Sequence, residues 1–218
     1  MSIIKKLRDF KRSFISNHGV NNHVFVVNPD GTRHEVRRLK HSHIKFSGNN
    51  NTIEIHMPCN NLMLNVNVCN NTSIVLFPSS YPRKISIAGF KNDGNKIVFG
   101  RDLSTTDVLQ ISLLRGPGDI IIGSDCMFAY KDIIQLGDGH AIYDNDTGNV
   151  INNNKNIIID NHVWITADVL LLKGCHIPNN CIVGTKSVVT KKFEDENAVI
   201  VGNTVVKKNI HWTRESQY

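Results

Sequence analysis

A six-residue hydrophobic period between residues 157 and 190 constrains the fold of this chain more than any other feature. An aliphatic residue returns at every sixth position, and these positions are Ile159, Ile165, Leu171, Ile177, Val183 and Val189. Four residues after each of the first five comes a second small or medium side chain, namely Val163, Val169, Cys175, Cys181 and Ser187. A helix would scatter these aliphatics around its surface, and a hairpin meander would need longer strands. The period therefore predicts a parallel β-helix whose sixth-position residues point inward.

The first half of the chain has short β-branched runs but no regular period. Between Ile44 and Ile122 these runs are divided by corners rich in Asn, Gly and Pro, so we expect less regular coils there. Asn28-Pro-Asp-Gly predicts the turn of a β-hairpin. Residues 2–17 carry apolar side chains on one side and basic ones on the other, which predicts an amphipathic helix. The predicted division is a helix-and-hairpin arm (1–43), a β-helix (44–203) and a tail (204–218).

Composition excludes several function classes. The formal charge is +6, but the basic residues cluster near the two ends, and aromatic residues make up only 7% of the chain, so we expect no nucleic-acid partner. Five cysteines without a C-x-x-C pair are expected to be free core residues rather than ligands. No apolar run is long enough for a membrane span and no secretion signal is recognised, so we expect a cytoplasmic protein. The basic 2–17 helix leaves two roles open: weak association with the inner membrane surface, or packing on a neighbouring subunit or on the β-helix itself.

The six-residue register is interrupted once, and the interruption predicts a functional loop. The register runs through Ile122, Phe128 and Ile134, stops at Gly137 and resumes at Ile159. The intervening residues include Gly137-Asp-Gly-His-Ala-Ile-Tyr-Asp-Asn-Asp-Thr-Gly. Functional residues are concentrated on loops that a rigid scaffold positions. We therefore expect residues 137–156 to form an extruded active-site loop.

Several segments together resemble the hexapeptide-repeat acyltransferases. They are Ile157-Ile-Ile-Asp-Asn-His-Val-Trp-Ile-Thr-Ala-Asp-Val, Leu172-Lys-Gly-Cys-His-Ile-Pro, Gly184-Thr-Lys-Ser-Val-Val-Thr-Lys and Gly202-Asn. The resemblance covers about the last hundred residues, and it implies an all-β fold: a left-handed parallel β-helix with active sites between the subunits of a homotrimer. The loop sequence Gly-His-x-Ile-Tyr-Asp looks closest to the branch that O-acetylates bacterial surface polysaccharides. The chain departs from the family pattern at Ala141, Thr166, Thr185 and Thr204.

The resemblance also implies roles for individual residues. His140 corresponds to the catalytic base, and a histidine suits proton transfer near neutral pH. Trp164 is expected to contact the thioester or the substrate. The remaining expected contacts are Asp138, Tyr143 and Asp144 for the glycan acceptor, and Ala167, Thr185, Thr190, Lys191, Lys207 and Lys208 for acetyl-CoA.

Three alternatives stay open beside an acetyl-CoA-dependent O-acetyltransferase. The acceptor could be an amine, as in N-acetyltransferases of amino sugars or sugar nucleotides. A metal-dependent hydratase also occurs on this fold, but His140, His162 and His176 lack the expected zinc spacing, so no metal is expected. A non-enzymatic β-helical scaffold predicts that replacing His140 changes nothing measurable.

Overall fold

The computed structural model describes residues 13–215, and all regular structure in that range is β-strand. The strands are β1 (Phe14–Asn17), β2 (His23–Val27), β3 (Arg33–Glu35), β4 (Ser42–Phe46), β5 (Thr52–His56), β6 (Leu62–Val68), β7 (Asn70–Leu76), β8 (Arg83–Phe99), β9 (Ser104–Thr105), β10 (Leu109–Ile122), β11 (Met127–Phe128), β12 (Ile133–Gln135), β13 (Ile157–Ile159), β14 (Trp164–Ile165), β15 (Leu170–Leu172), β16 (His176–Ile177), β17 (Ile182–Val183), β18 (Val188–Val189), β19 (Val199–Val201) and β20 (Thr204–Lys207).

Parallel pairing arranges these strands in three walls. The first wall contains β1, β4, β6, the first halves of β8 and β10, then β12, β15 and β18. The second wall contains β2, β5, β7, the second halves of β8 and β10, then β13 and β16. The third wall contains β9, β11, β14, β17 and β19. The predicted parallel β-helix is confirmed as an all-β stack of parallel strands.

The regular period reflects a corner that recurs every six residues. His162, Asp168, Gly174, Asn180 and Lys186 all have a positive φ, between 54° and 83°. A left-handed backbone conformation turns the chain sharply. Glycine tolerates this conformation best, but only one of the five corners has a glycine, at Gly174. Equivalent positions in successive coils, such as Asn161 and Asn179, are 18 residues apart.

The upstream coils are longer, which explains why their period is hidden in the sequence. Asn50 and Asn71 occupy equivalent corners 21 residues apart, and Asn71 and Asp93 are 22 apart. The side chains of Asn21, Asn50, Asn71 and Asp93 form a ladder of hydrogen bonds of 3.0, 3.1 and 2.6 Å along this corner. Asparagine tolerates the left-handed backbone conformation of the corner, and its side chain also hydrogen-bonds the equivalent residue of the next coil. This double role accounts for the Asn pairs in the sequence.

The core runs along the axis as stacked inward residues. All six aliphatics of the period are at most 1% exposed. Three cysteines are buried, the other two are partly buried, and all five are free, as the sequence predicted. Removing such stacked side chains from water is the main stabilising term of the fold.

Two N-terminal predictions have different outcomes. The hairpin is confirmed, because β2 pairs antiparallel with β3. The helix predicted over 2–17 is wrong where it can be compared: Phe14–Asn17 form β1, which pairs in parallel with β4. This pairing gives the apolar residue Ile15 a place against the core, which outweighs helical periodicity. The rest of that prediction lies in residues 1–12, outside the described residues. The coil pairing therefore extends upstream of residue 44, into the segment assigned to the arm.

Candidate functional site

The loop at 137–156 leaves the β-helix where β12 ends, at the corner between the first and second walls (the loop corner). Its outer part is a short hairpin, in which Tyr143 and Val150 form an antiparallel bridge. Asp144 closes the tip, because its Oδ1 accepts hydrogen bonds from the Thr147 N–H (2.7 Å) and hydroxyl (2.8 Å). These two bonds, the backbone one first, lower the pKa of Asp144. Asp144 therefore has a structural partner within the loop.

Asn152 and Lys173 clamp the base of the loop. Asn152 Nδ2 donates to Asp138 Oδ2 and to the His140 carbonyl, both at 2.8 Å, and Asn152 Oδ1 accepts the Ile142 N–H at 2.8 Å. Lys173 Nζ, from the coil below, donates to Asp138 Oδ2 and to the Asn152 carbonyl, both at 2.6 Å. The bond from Lys173 holds the pKa of Asp138 below its ordinary value. Asp138 thus holds Asn152, and Asn152 in turn bonds the His140 carbonyl.

Gly137 and Asn154 hold the two ends of the loop against β10. A Cβ at Gly137 would lie 2.4 Å from the Leu114 carbonyl oxygen and 2.5 Å from Asn154 Oδ1, so only glycine fits. Asn154 Nδ2 donates to the Leu114 carbonyl at 3.1 Å and also bonds the Arg115 carbonyl. Both ends of the loop are therefore fastened to the same stretch of the preceding coil.

His140 lies at a cleft of 280 Å³ between this stretch of β10 and the loop. The cleft is lined by Leu114, Arg115, Gly116, Pro117, Asp138, Gly139, His140, Ala141, Val150, Asn152, Asn153 and Asn154. The His140 side chain is exposed and makes no hydrogen bond or ion pair with any residue in the range 13–215. Neither Asp138 nor Asp144 orients its imidazole, since both carboxylates bond other groups of the loop or Lys173.

Trp164 is not brought to His140 within one chain. It lies on β14 in the third wall, and its ring is 5.9 Å from that of Trp212, centroid to centroid. Tyr143, on the exposed hairpin, also lies outside the set of residues that line the His140 cleft. Of the five predicted catalytic and acceptor residues, the cleft unites His140 and Asp138.

The predicted acetyl-CoA residues fall on separate parts of the surface. Ala167 and Thr185 are on consecutive coils at the corner between the third and first walls (the threonine corner), where Thr185 Oγ1 donates to Thr166 Oγ1 at 3.2 Å. Thr190 and Lys191 follow β18 at the loop corner, below His140. Lys207 is exposed, and the nearby Lys208 forms an ion pair of 2.7 Å with Asp195. One chain therefore presents Ala167 and Thr185 beside Trp164, and Thr190 and Lys191 on the His140 side. Lys207 ends β20, which pairs with β19 in the third wall, and Lys208 follows it.

No protein-family model matches the chain. Its sequence is 32% identical over 123 residues to a polysialic acid O-acetyltransferase of Escherichia coli O1:K1 / APEC, covering 56% of this chain and 39% of that protein. It is 30% identical over 127 residues to a polysialic acid O-acetyltransferase of Neisseria meningitidis, covering 58% of each. A galactoside O-acetyltransferase of Lactococcus lactis is 32% identical over 94 residues, which is 43% of this chain and 44% of that protein. The chain thus spans between 39% and 58% of the length of these relatives.

The fold is shared with two solved acetyltransferases. The polySia-specific acetyltransferase NeuO superposes with a TM-score of 0.64 at 24% identity, over 94% of this chain and 90% of NeuO. The polysialic acid O-acetyltransferase OatWY superposes with a TM-score of 0.54 at 28% identity, over 94% and 93% of the two chains. The resemblance to hexapeptide-repeat acyltransferases is confirmed. Within residues 13–215 there is no helix long and apolar enough to cross a bilayer, and no group of three or more His, Cys, Asp or Glu that would hold a metal ion.

The sequence pattern did not indicate the C-terminal clasp, which we define as His162, Asp125, Trp212 and Arg214. The rings of His162 and Trp212 stack at 4.0 Å, and Asp125 accepts hydrogen bonds of 2.6 Å from both His162 Nδ1 and Arg214 Nε. His162 is partly buried and its two ring nitrogens each have a partner, Asp125 and the Trp212 carbonyl. Its partners are 37 and 50 residues away in sequence, so no local pattern announces the contact.

Asn152 and Lys173 were also missed. The loop sequence places Asn152 in a run of three asparagines, and nothing local distinguishes it from its neighbours. Lys173 is 35 residues from Asp138, so their contact depends on the stacking of coils. Lys173 follows β15, which pairs with β12, so it lies at the corner one coil below the loop. Aligning the sequence coil by coil would have placed this lysine beneath Asp138.

Proposed function

We propose that this protein transfers an acetyl group from acetyl-CoA to a hydroxyl of a bacterial surface glycan. The observation that carries the proposal is His140: a histidine with a free imidazole, on a clamped loop beside a cleft, in a fold shared with two acetyltransferases. The named relatives act on polysialic acid and on galactosides, which supports a sugar hydroxyl as the acceptor. We further infer that the β-helix is left-handed, as the resemblance implies.

The chemistry assigned to His140 is proton transfer to and from the reacting oxygen and sulfur. The imidazole removes the proton of the acceptor hydroxyl as that oxygen attacks the thioester carbonyl, and the same proton then goes to the departing thiolate of coenzyme A. The carbonyl oxygen gains negative charge during attack and needs a donor, which the indole N–H of Trp164 or a backbone N–H supplies. Products are the acetyl ester and free coenzyme A, so atoms and charge balance.

A homotrimer would bring the separated residues together. One chain places His140 at the loop corner and Trp164 beside the threonine corner. If subunits pack side by side, the threonine corner of one subunit faces the loop corner of the next. The groove between them would then contain His140, Thr190 and Lys191 from one subunit and Trp164, Ala167 and Thr185 from the other. Exposed lysines, including Lys207 and Lys208, supply positive charge for the phosphates of coenzyme A.

Thiol release from acetyl-CoA tests the function directly. The purified protein is assayed with capsular polysaccharides, lipopolysaccharide sugars and free amino sugars, as the wild type and as His140→Ala. We expect acceptor-dependent release that falls by at least about 10²-fold in the variant, since general base catalysis contributes about 10²–10⁴-fold. His34→Ala, at an exposed histidine on β3, is the matched control and should retain full activity.

Each outcome of that assay has a distinct meaning. Preferential release with amino sugars would move the acceptor from a hydroxyl to an amine. Unchanged activity in His140→Ala would remove the histidine from the mechanism. The absence of both coenzyme A binding and thiol release with every acceptor would leave the scaffold interpretation in place of the enzyme.

A further inference from the structure

The groups that line the His140 cleft fall into two sets. Asp138, Asn152 and Asn154 are bonded to the loop, to Lys173 or to β10 and so form the framework of the cleft. The side chains of Arg115 and Asn153, like that of His140, make no hydrogen bond or ion pair with other described residues. These polar groups are therefore available to a ligand that enters the cleft.

We propose that Arg115 binds a carboxylate of the acceptor, so that the preferred acceptor is an acidic sugar polymer. This inference rests on the proposed function and deepens it. A guanidinium presents its N–H donors as a planar fork that matches a carboxylate with two parallel hydrogen bonds. Asn153 offers an amide donor and acceptor for a hydroxyl of the same sugar residue.

The backbone of Arg115 is held in place relative to His140. Arg115 lies where β10 bends between the first and second walls, at a φ of 39°, just before the irregularity between Gly116 and Gly118. Asn154 bonds the Arg115 carbonyl, and Asn152, two residues earlier, bonds the His140 carbonyl. The loop segment 152–154 thus sets the backbone positions of both residues. A sugar whose carboxylate is held by Arg115 would have one of its hydroxyls directed toward the imidazole of His140.

The charge balance of the cleft favours an anion. Asp138 is the only carboxylate among the residues that line it, and its charge is matched by Lys173 at 2.6 Å. Arg115 has no acidic partner within residues 13–215, so its positive charge is uncompensated at the cleft. The whole chain also carries a formal charge of +6, which would attract a polyanion from solution.

The test compares acceptors that differ only in charge. The probes are polysialic acid, a uronic acid polymer, and the carboxyl-reduced form of each, which retains the ring hydroxyls but has no negative charge. The proteins are wild type, Arg115→Gln, Arg115→Lys and, as a matched loss of one exposed arginine, Arg37→Gln. Binding is measured by calorimetry in the His140→Ala background, where no turnover interferes, and kcat and KM are measured with His140 present.

We expect Arg115→Gln to weaken binding of at least one acidic polymer, and to raise its KM, by roughly tenfold or more, with kcat changed by less than about threefold. Arg115→Lys should recover part of the affinity, and Arg37→Gln should behave as wild type. Equal binding of acidic and carboxyl-reduced polymers, wild-type binding by Arg115→Gln, or no binding of either acidic polymer would overturn the inference. Arg115-dependent binding without acetyl transfer would instead overturn the proposed function and leave this inference standing.

Discussion

At the scale of single residues, Asp132 at the start of β12 is a carboxylate enclosed by the coil. Asp132 is 2% exposed. Its Oδ1 accepts the Val169 N–H at 3.1 Å, and its Oδ2 has no hydrogen-bond partner among the described residues. Burial raises the pKa of Asp132 from 3.8 to about 7, although the bond from Val169 acts in the opposite direction. The folded state therefore binds a proton at pH values where the unfolded chain has lost it.

The raised pKa of Asp132 predicts that the free energy of unfolding falls as pH rises. Below about pH 4 both states hold the proton, and above about pH 7 neither does, so the loss develops between these values and then stays constant. We expect Asp132→Asn to remove this component, which is on the order of 2 kcal/mol or more. Urea unfolding of both proteins between pH 4.5 and pH 8.5 measures it.

The two proteins are compared by the slope of the free energy of unfolding against pH. A uniform loss of stability in Asp132→Asn therefore does not obscure the result. Titrating groups elsewhere in the chain contribute equally to both proteins. Parallel pH profiles for wild type and Asp132→Asn would show that Asp132 does not titrate in this range.

At the scale of elements, the C-terminal tail is fastened to the β-helix by side chains. Trp212 is 6% exposed, stacks on His162 and donates its indole N–H to the His162 carbonyl at 3.1 Å. Arg214 donates to the Ser104 hydroxyl and to the carbonyls of Asp102 and Cys126, and its guanidinium lies 4.4 Å above the ring of Tyr81. The tail thereby covers the corner between the second and third walls and reaches the indole of Trp164.

Trp212→Ala is expected to lower the free energy of unfolding by about 2–4 kcal/mol, because it removes a largely buried indole and its stacking contact with His162. Thr213→Ala, at the exposed residue between the two anchors, should stay within about 0.5 kcal/mol of wild type. Denaturant unfolding measures both. If the two variants are equally stable, the tail does not contribute to the stability of the β-helix.

The N-terminal strand shows how a long-range contact overrides a local pattern. Residues 2–17 have helical periodicity, yet Phe14–Asn17 pair in register with β4, from Phe14 opposite His43 to Asn17 opposite Phe46. An isolated helix of this length is marginal, whereas the edge of an open stack offers a row of backbone groups that need partners. A local pattern could not predict this pairing, because β1 and its partner β4 are separated by more than twenty residues of sequence.

At the scale of the whole molecule, the separation of His140 from Trp164 predicts that the active groove is shared between subunits. Mixing His140→Ala and Trp164→Ala subunits by co-expression should then restore activity that neither variant has alone. With random assembly into trimers, about one quarter of the grooves would have both residues intact, so we expect about a quarter of wild-type activity. Light scattering measures the oligomeric mass in the same preparations.

A mixture as inactive as its components would mean that no groove combines His140 of one subunit with Trp164 of another. Full activity of Trp164→Ala by itself would remove that residue from the catalytic set. Either result would leave the His140 cleft, which one chain forms alone, as the site to examine.

The sequence alone determined the parallel β-helix, its inward residues and the point at which the loop leaves it. Each of these follows from the spacing of residues along the sequence. A residue at every sixth position must face the axis, and a break in that register must leave the stack. Only the tertiary structure decided that Asn152 and Lys173 clamp the loop, that Arg115 lines the same cleft as His140, and that Trp212 packs on His162. These contacts join residues from 12 to 50 positions apart, and their pairing depends on the length of each coil. Since the upstream coils vary in length and the loop interrupts the count, their register is set by three-dimensional packing and not by sequence period.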